Sequence, residues 1–447
     1  MNNNKSTFIN LIFLAIPAMA EQVLSTLLQY VDTAMVGHLG EQATAAVNVT
    51  TTISWLMGAA MSAVGVATIA LISRSIGENN REKCSQVAKI SFLTALIMGV
   101  AIELIAILLS PFIPVWMGAS EAIAKQASEY FFIICIPAVF RCFTYVCGSA
   151  IRATKDTKTP MVINLLANIL NVILNILLIY GVGLGVRGAA IASAISFTIA
   201  GVAMVAIFLK KEELKFSLNE KISDSQILPE IFRITMPVLA VNITSCLGYV
   251  VFAALVTRMG TTVFAAHSIA VDAEEIFYMP GYGIRTAVQT LIGISIGKQD
   301  EKEFKEVVKA GYLAVIIIST ILGGVLYFVS YPLMCIFTSS MAVAKLGSVV
   351  LKIVAFSEPF FAIMVVSEGI FYGMGKTKIC FYVETFSMWC VRIVSTFICV
   401  RILFLDLNAV WFCMIADNIT KALLLCIPVF VGIKSHRWIG IKNETSN

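Results

Sequence analysis

Charged residues are scarce in this sequence: they make up 13 % of its 447 residues, against about 25 % in soluble proteins. Apolar residues make up 59 %, and the mean hydropathy is +0.89. These proportions exclude an ordinary soluble globular protein. The sequence therefore predicts an all-α integral membrane protein, and its length leaves room for about a dozen crossings of about 20 residues each.

Residues and motifs typical of enzymes are also few. The sequence holds three histidines, has neither H-E-x-x-H nor G-x-S-x-G, and its 11 cysteines include no C-x-x-C. The stretch GIFYGMGKT resembles a phosphate loop but has Ile370 where that motif needs glycine. We therefore expect no enzyme activity, no cofactor and no metal centre. The energy for any transport would then come from an ion gradient.

The basic residues indicate membrane orientation rather than nucleic-acid binding. The formal net charge is +5 and no long basic run is present, so nucleic acid is not an expected partner. Lys and Arg concentrate in alternate loops, which predicts that both termini are cytoplasmic. The first apolar run contains Glu21 and Asp32 and lacks a strongly basic start, so no cleavable signal is expected. We expect a multi-pass protein of the plasma membrane.

Apolar runs between charged or Gly/Pro-rich breaks predict twelve transmembrane helices. The predicted spans are 8–37, 44–73, 87–112, 128–150, 159–182, 186–209, 231–257, 264–296, 307–330, 348–374, 379–404 and 408–433. The longest break separates six spans from six. The predicted organisation is therefore an N-terminal six-helix lobe (1–209), a cytoplasmic linker (210–230), a C-terminal six-helix lobe (231–433) and a cytoplasmic tail (434–447).

The two halves share a repeat. A shift of 220 positions without gaps superimposes small and turn residues from the first helix to the sixth. The matches include Pro17 with Pro237, Gly40 with Gly260, Ser75-Ile76-Gly77 with Ser295-Ile296-Gly297, and Thr157-Lys158 with Thr377-Lys378. Because each half has an even number of spans, both would insert the same way up, with a cleft between them suited to alternating access.

Asp32 is the most conspicuous polar residue of the first half. An ionisable residue inside a span costs roughly 2.5–3.5 kcal/mol and usually has a function. Asp32 continues a polar stripe with Gln29 on the first helix, and asparagines share one face of the fifth helix. If these faces meet, they would bind a proton or a small cation. The alternative is a structural carboxylate and asparagines that join helices. The predicted ion-coupling residues are Asp32, Asn168, Asn171 and Asn175.

The eighth predicted helix carries most of the polar residues of the second half. A desolvated carboxylate near aromatic rings attracts a lipophilic cation, and such groups recur along one side of this helix. Charged residues on the tenth and eleventh helices, such as Glu368, Glu384 and Arg392, could instead form ion pairs that hold the lobe together. The predicted substrate-binding residues are Gln29, Tyr249, Glu274, Glu275, Tyr278, Arg285 and Gln289.

These residues resemble the multidrug and toxic compound extrusion (MATE) family. The first helix, AIPAMAEQVLSTLLQYVDTAMVGHLG, resembles the family's opening of Pro, Asp and V-G-x-L-G. Family-like segments also begin at IRATKDTKTP and MGTTVFAAHSIA, so the resemblance covers nearly the whole chain. It implies two six-helix lobes and export of cationic, aromatic drugs in exchange for protons or sodium. It also matches Asp32 to the family's first-helix carboxylate and Asn171 to its fifth-helix asparagine.

Two positions depart from common family patterns. Asn175 stands where many members have a second acid, which argues against a two-carboxylate sodium site and favours the proton. Ser245 stands where one branch has a glutamate after the seventh-helix proline. The better match is therefore the DinF-like branch, which relies on a carboxylate of the first lobe.

Three functions remain open from the sequence. The first is a multidrug antiporter, which is expected to be monomeric and to have small drug-like molecules and the lipid bilayer as partners. The second is a lipid-linked saccharide flippase, which would need several basic residues lining the cleft. The third is an ion channel, which the repeat argues against, because Phe252 stands at the position equivalent to Asp32 and pores favour matched rings.

Overall fold

The structure is a computed structural model that describes residues 2–217 and 224–435. All regular secondary structure in these ranges is helical. The twelve long helices are α1 Asn2–Gly37, α2 Glu41–Gly77, α3 Arg81–Leu109, α4 Glu121–Cys135 with Ala138–Ala153, α5 Lys158–Gly181, α6 Val186–Lys210, α7 Ile227–Thr257, α8 Thr261–Gly297, α9 Glu301–Phe337, α10 Met341–Ala355 with Glu358–Gly373, α11 Thr377–Ile402 and α12 Leu407–Ser435. The last turns of α5 and two stretches of α11 are π-helical.

The described helices fit a membrane protein. Nine of them are long and apolar enough to cross a bilayer, and the bent pairs α4 and α10 bring the number to eleven. The twelfth, α8, has 37 residues and contains the charged residues Asp272, Glu274, Glu275 and Arg285. The predicted all-α architecture of twelve helices is confirmed.

Several predicted spans are wrong in their bounds: 87–112 and 307–330 miss the helix starts at Arg81 and Glu301. The spans 128–150 and 348–374 begin too late, because the helices start at Glu121 and Met341. Charges close to these helix starts, Glu121 in α4 and Lys345 in α10, hid them from a hydropathy reading. Each helix then bends, α4 by 47° and α10 by 57°. Proline lies at each break, Pro137 in α4 and Pro359 in α10, where its missing N–H interrupts the helical hydrogen bonds.

The chain forms two compact units whose boundaries fall inside helices. The N-terminal unit runs from Val23 to Thr235, and the C-terminal unit comprises the described residues from Met236 onward together with those up to Gln22. The start of α1 is therefore counted with the later helices. Within the C-terminal unit, Gly283 of α8 lies so close to α1 that a Cβ atom there would be 2.4 Å from the Met19 nitrogen. Glycine is required for this approach.

The repeat is visible in the backbone at the same offset. Asn79 and Gln299 both have left-handed φ angles, 53° and 56°. The residues that follow them, Asn80 and Asp300, both cap the next helix through their side chains. The two bent helices also begin and break at equivalent positions. The predicted internal repeat is thus confirmed in the turns as well as in the helices.

One pair of equivalent turns gives a stability prediction. Lys155 and Gly375 both have left-handed φ angles, 67° and 70°. Because an L-residue is strained there and glycine is not, Gly375→Ala should destabilise the protein by about 1 kcal/mol. Lys155→Ala exchanges one L-residue for another and should change stability little. Thermal unfolding of both variants checks this, and equal effects would contradict it.

The start of the linker is fixed to the N-terminal unit. Lys211 Nζ lies 2.6 Å from Asp156 Oδ2 in the turn between α4 and α5. Leu214 is fully buried, and the Phe216 ring contacts Phe92. Burial raises the pKa of Asp156, but hydrogen bonds from Lys211 and Thr159 outweigh it and hold that pKa below its usual range.

This bridge predicts a pH dependence of stability. Because the Asp156 pKa is lower in the folded than in the unfolded protein, its contribution is present above the unfolded value of about 3.9. It is lost as the pH falls through the lower folded value. Asp156→Asn should therefore lower the Tm slightly at pH 7, and the difference from wild type should shrink as the pH falls below about 3.9 and vanish once Asp156 is protonated in the folded protein. A constant difference across this range would show that the charge is not responsible.

Candidate ion-coupling site and buried charges

Asp32 and Asn175 meet inside the N-terminal unit. The Asn175 side chain is fully buried, and its Nδ2 donates a hydrogen bond to Asp32 Oδ1. The same nitrogen also donates to Asn171 Oδ1 at 3.2 Å. Asp32 is half-buried on α1, and Asn175 is the last residue before the π-helical turn of α5. The Asp32 carboxylate, close to the end of α1, is thus held by an amide that water does not reach.

The asparagine face of α5 contacts two other helices. Asn171 Nδ2 donates to Ser193 Oγ of α6 at 3.1 Å, and Asn168 Nδ2 donates to Ser25 Oγ of α1 at 3.2 Å. Asp32, Asn171 and Asn175 therefore form one hydrogen-bonded group, whereas Asn168 lies two turns from Asn175 and contacts a different residue. Ser193 could not be predicted as part of this group, because serines on an apolar helix are ordinary.

The orientation of the Asn175 side chain determines what the Asp32 carboxylate contacts. The amide nitrogen of Asn175, not its oxygen, faces the carboxylate. A donor in that position stabilises the charged form of a carboxylate, whereas burial disfavours it. Among the described residues, no group of three or more His, Cys, Asp or Glu could hold a metal ion.

The C-terminal unit contains a buried ionic cluster. The Arg392 guanidinium lies 2.8 Å from Asp417, and Lys421 lies 3.2 Å from Asp417 and 3.1 Å from Glu384. Ser387 Oγ donates to Asp417 at 2.5 Å. The ionic side chains are all less than a tenth exposed. This cluster joins α11 to α12.

Arg285 forms a second ion pair in the same unit. Its Nη1 lies 2.8 Å from Glu368 Oε2 of α10, and its guanidinium lies over the Tyr282 ring at 4.5 Å. Glu368, Glu384 and Arg392 are therefore all in ion pairs within one unit. This agrees with the alternative given for them from the sequence, ion pairs that hold the lobe together. Arg285 thus pairs with a carboxylate of the neighbouring helix α10. The glutamates of α8 itself lie about 15 Å from it along the helix axis, too far for a direct pair.

The remaining predicted substrate residues differ in accessibility. Tyr249 is 50 % exposed, and Gln29 is also exposed. Tyr278 packs against Tyr282 and Phe361 and is half-buried, as is Glu275. In contrast, Glu274 is 8 % and Gln289 3 % exposed. Their role in substrate binding stays a prediction.

Comparison with known proteins decides the family. The MatE family model matches residues 17–177 and 237–398. The chain belongs to the MatE family. The second matched segment begins at Pro237, the repeat equivalent of Pro17 where the first begins. The resemblance seen in the sequence is thus confirmed, and this MatE protein is a membrane transporter and not an enzyme.

Its relatives are transporters of similar length. "Probable multidrug resistance protein NorM" of Thermotoga maritima is 29 % identical over 420 residues, covering 93 % of this chain and 90 % of that protein. "Multidrug resistance protein NorM" of Vibrio cholerae is 26 % identical, covering 89 % and 88 %. The structure titled "Outward-facing conformation of a multidrug resistance MATE family transporter of the MOP superfamily" matches with a TM-score of 0.92 and 20 % identity over 96 % of each chain. The last similarity establishes the fold alone.

Proposed function

We propose that this MatE protein exports cationic, lipophilic compounds from the cell in antiport with protons, by alternating access. Support for multidrug export comes from the names of its relatives, which are called multidrug resistance proteins. Support for proton coupling comes from one contact, the hydrogen bond from Asn175 to Asp32. The protein would act as a monomer in the plasma membrane with both termini in the cytoplasm.

Asp32 would bind and release the coupling proton. The carboxyl would take up a proton when it is open to the outside and release it when it is open to the cytoplasm. A sodium ion would need amide oxygens directed at the carboxylate, but Asn175 presents its nitrogen there. This orientation supports the proton over sodium.

Cation selectivity would arise from accessible aromatic and acidic groups. Tyr249 and Gln29 are exposed, and Tyr278 and Glu275 are half-buried. A lipophilic cation gains from an aromatic face and from a nearby carboxylate when both are partly desolvated. Glu274 and Gln289 would support these residues from the interior.

The flippase and the channel have less support. Three of the basic residues available to bind a lipid phosphate, Arg285, Arg392 and Lys421, are already paired with carboxylates inside the C-terminal unit. For the channel, the repeat equivalent of Asp32 is Phe252, which is buried. No observation favours either function over antiport.

Efflux from proteoliposomes tests the proposal. The purified transporter should accumulate or release a panel of cationic dyes when a pH gradient is imposed, and should saturate with dye concentration. A sodium gradient at constant pH should have no effect. Transport driven by sodium alone would assign the other coupling ion, and a steady current without saturable dye exchange would support a channel and contradict the proposal.

A further inference from the structure

Two cysteines of the C-terminal unit lie side by side. Cys399 is in the second π-helical stretch of α11, and Cys413 is in α12. Their sulfur atoms are 3.6 Å apart. An S–S bond of about 2.05 Å would need the sulfurs to approach by only about 1.5 Å, which side-chain rotation can supply.

We propose that Cys399 and Cys413 are a redox-active pair that closes to a disulfide between α11 and α12. The connection between these helices, residues 403–406, is short and exposed. Cys399 is half-buried at the end of α11 near this connection, whereas Cys413 is 6 % exposed. Cys399 is thus the thiol that an oxidant reaches first, and Cys413 is the resolving thiol held behind it.

The reaction is a thiol–disulfide exchange with a small disulfide as oxidant. The Cys399 thiolate attacks one sulfur of the oxidant, forms a mixed disulfide and releases one thiol. Cys413 then attacks the Cys399 sulfur, forms the S–S bond and releases the second thiol. Two electrons pass to the oxidant, and the two cysteine protons leave with the two released thiols. No metal or further reactant is required.

The position of the pair gives the disulfide a structural consequence. The same two helices are joined by the Arg392–Asp417 ion pair. The disulfide would lie one to two helical turns from this ion pair, towards the connection between the helices. It would add a covalent link to the ionic one and hold α11 against α12. The repeat equivalents of the cysteines are Ile179 and Ser193, so the N-terminal unit has no such link.

Peptide mapping of the full-length protein tests the proposal. The transporter in lipid nanodiscs is treated with dithiodipyridine, free thiols are blocked with N-ethylmaleimide, and the sample is denatured and digested with trypsin. Cleavage at Arg401 separates the two cysteines, so a disulfide would join peptide 393–401 to peptide 402–421. This linked peptide should form in wild type and disappear on reduction.

Cys390 provides the matched control. It is exposed on the same helix, nine residues before Cys399, and is carried on a separate tryptic peptide, 379–392. We expect the 399–413 link to exceed a 390–413 link about tenfold, since a disulfide forms only where the geometry permits. In Cys399→Ser, no linked peptide should contain Cys413, which should carry either the blocking group or the pyridylthio group of the reagent. Equal yields of the two links in wild type would overturn the proposal.

Discussion

Asp32→Asn should reduce gradient-driven dye efflux to the level of passive leakage while leaving the protein folded. Asparagine has nearly the same size as aspartate and can still accept the hydrogen bond from Asn175. It cannot bind or release a proton, and it carries no charge. The contact between α1 and α5 would therefore persist while the coupling is lost. Efflux in proteoliposomes under a pH gradient measures the first effect, and thermal unfolding the second.

Glu103 supplies the control for this substitution. It is another half-buried carboxylate in a span of the N-terminal unit, and it accepts a hydrogen bond from the Val139 nitrogen at 3.4 Å. Glu103→Gln removes a charge without touching the Asp32 group, so efflux should stay near the wild-type rate. If Asp32→Asn exported dye at that rate as well, Asp32 would be structural, and the coupling group would have to be sought among Glu274, Glu275 and Glu368.

Asp417→Asn should destabilise the protein by about 3–5 kcal/mol, the usual cost of removing one partner of a buried ion pair. Asp417 is fully buried between Arg392 and Lys421. When the charge of Asp417 is removed, Arg392 loses its only carboxylate partner within 4 Å among the described residues. Removing that cation too, in the double variant with Arg392→Met, should recover part of the loss. The Tm in detergent and the expression level report both changes.

The exposed pair of Arg187 and Glu129 is the matched control. Its geometry is as close, at 2.7 Å, but the side chains are 59 % and 31 % exposed. Solvent screens such a pair, so Glu129→Gln should lower the Tm only slightly. If Asp417→Asn cost no more than Glu129→Gln, the buried cluster would contribute little to the stability of the C-terminal unit.

Much of the fold could be predicted because its signals are local. Long apolar runs gave the number of helices, and one fixed offset gave the repeat. The polar stripe of α1 and the asparagines of α5 also predicted which faces could meet, and Asn175 does contact Asp32. Periodicity is sufficient for this, because a helix places residues three and four apart on one face.

The rest depends on contacts between distant parts of the chain. The partners of Glu384 and Arg392 could not be chosen from the sequence, since several helices offered opposite charges. Asp417 and Lys421 did carry a signal, as two charges one turn apart in an otherwise apolar span. The starts of α4 and α10 were missed because the charges close to them, Glu121 and Lys345, resemble loop residues. The boundaries between the two units lie inside α1 and α7 and depend on packing. The composition of the sequence does not change at these points, so it could not predict them.

The matching turns of the two halves give the protein an internal standard. Where both copies keep a feature, as at Asn79 and Gln299, the feature serves the architecture that both must build. Where they differ, as at Asp32 and Phe252, the architecture does not require the residue, and a role specific to one half is expected there. A substitution at any position can thus be calibrated against its counterpart in the same molecule, in the same membrane and at the same expression level.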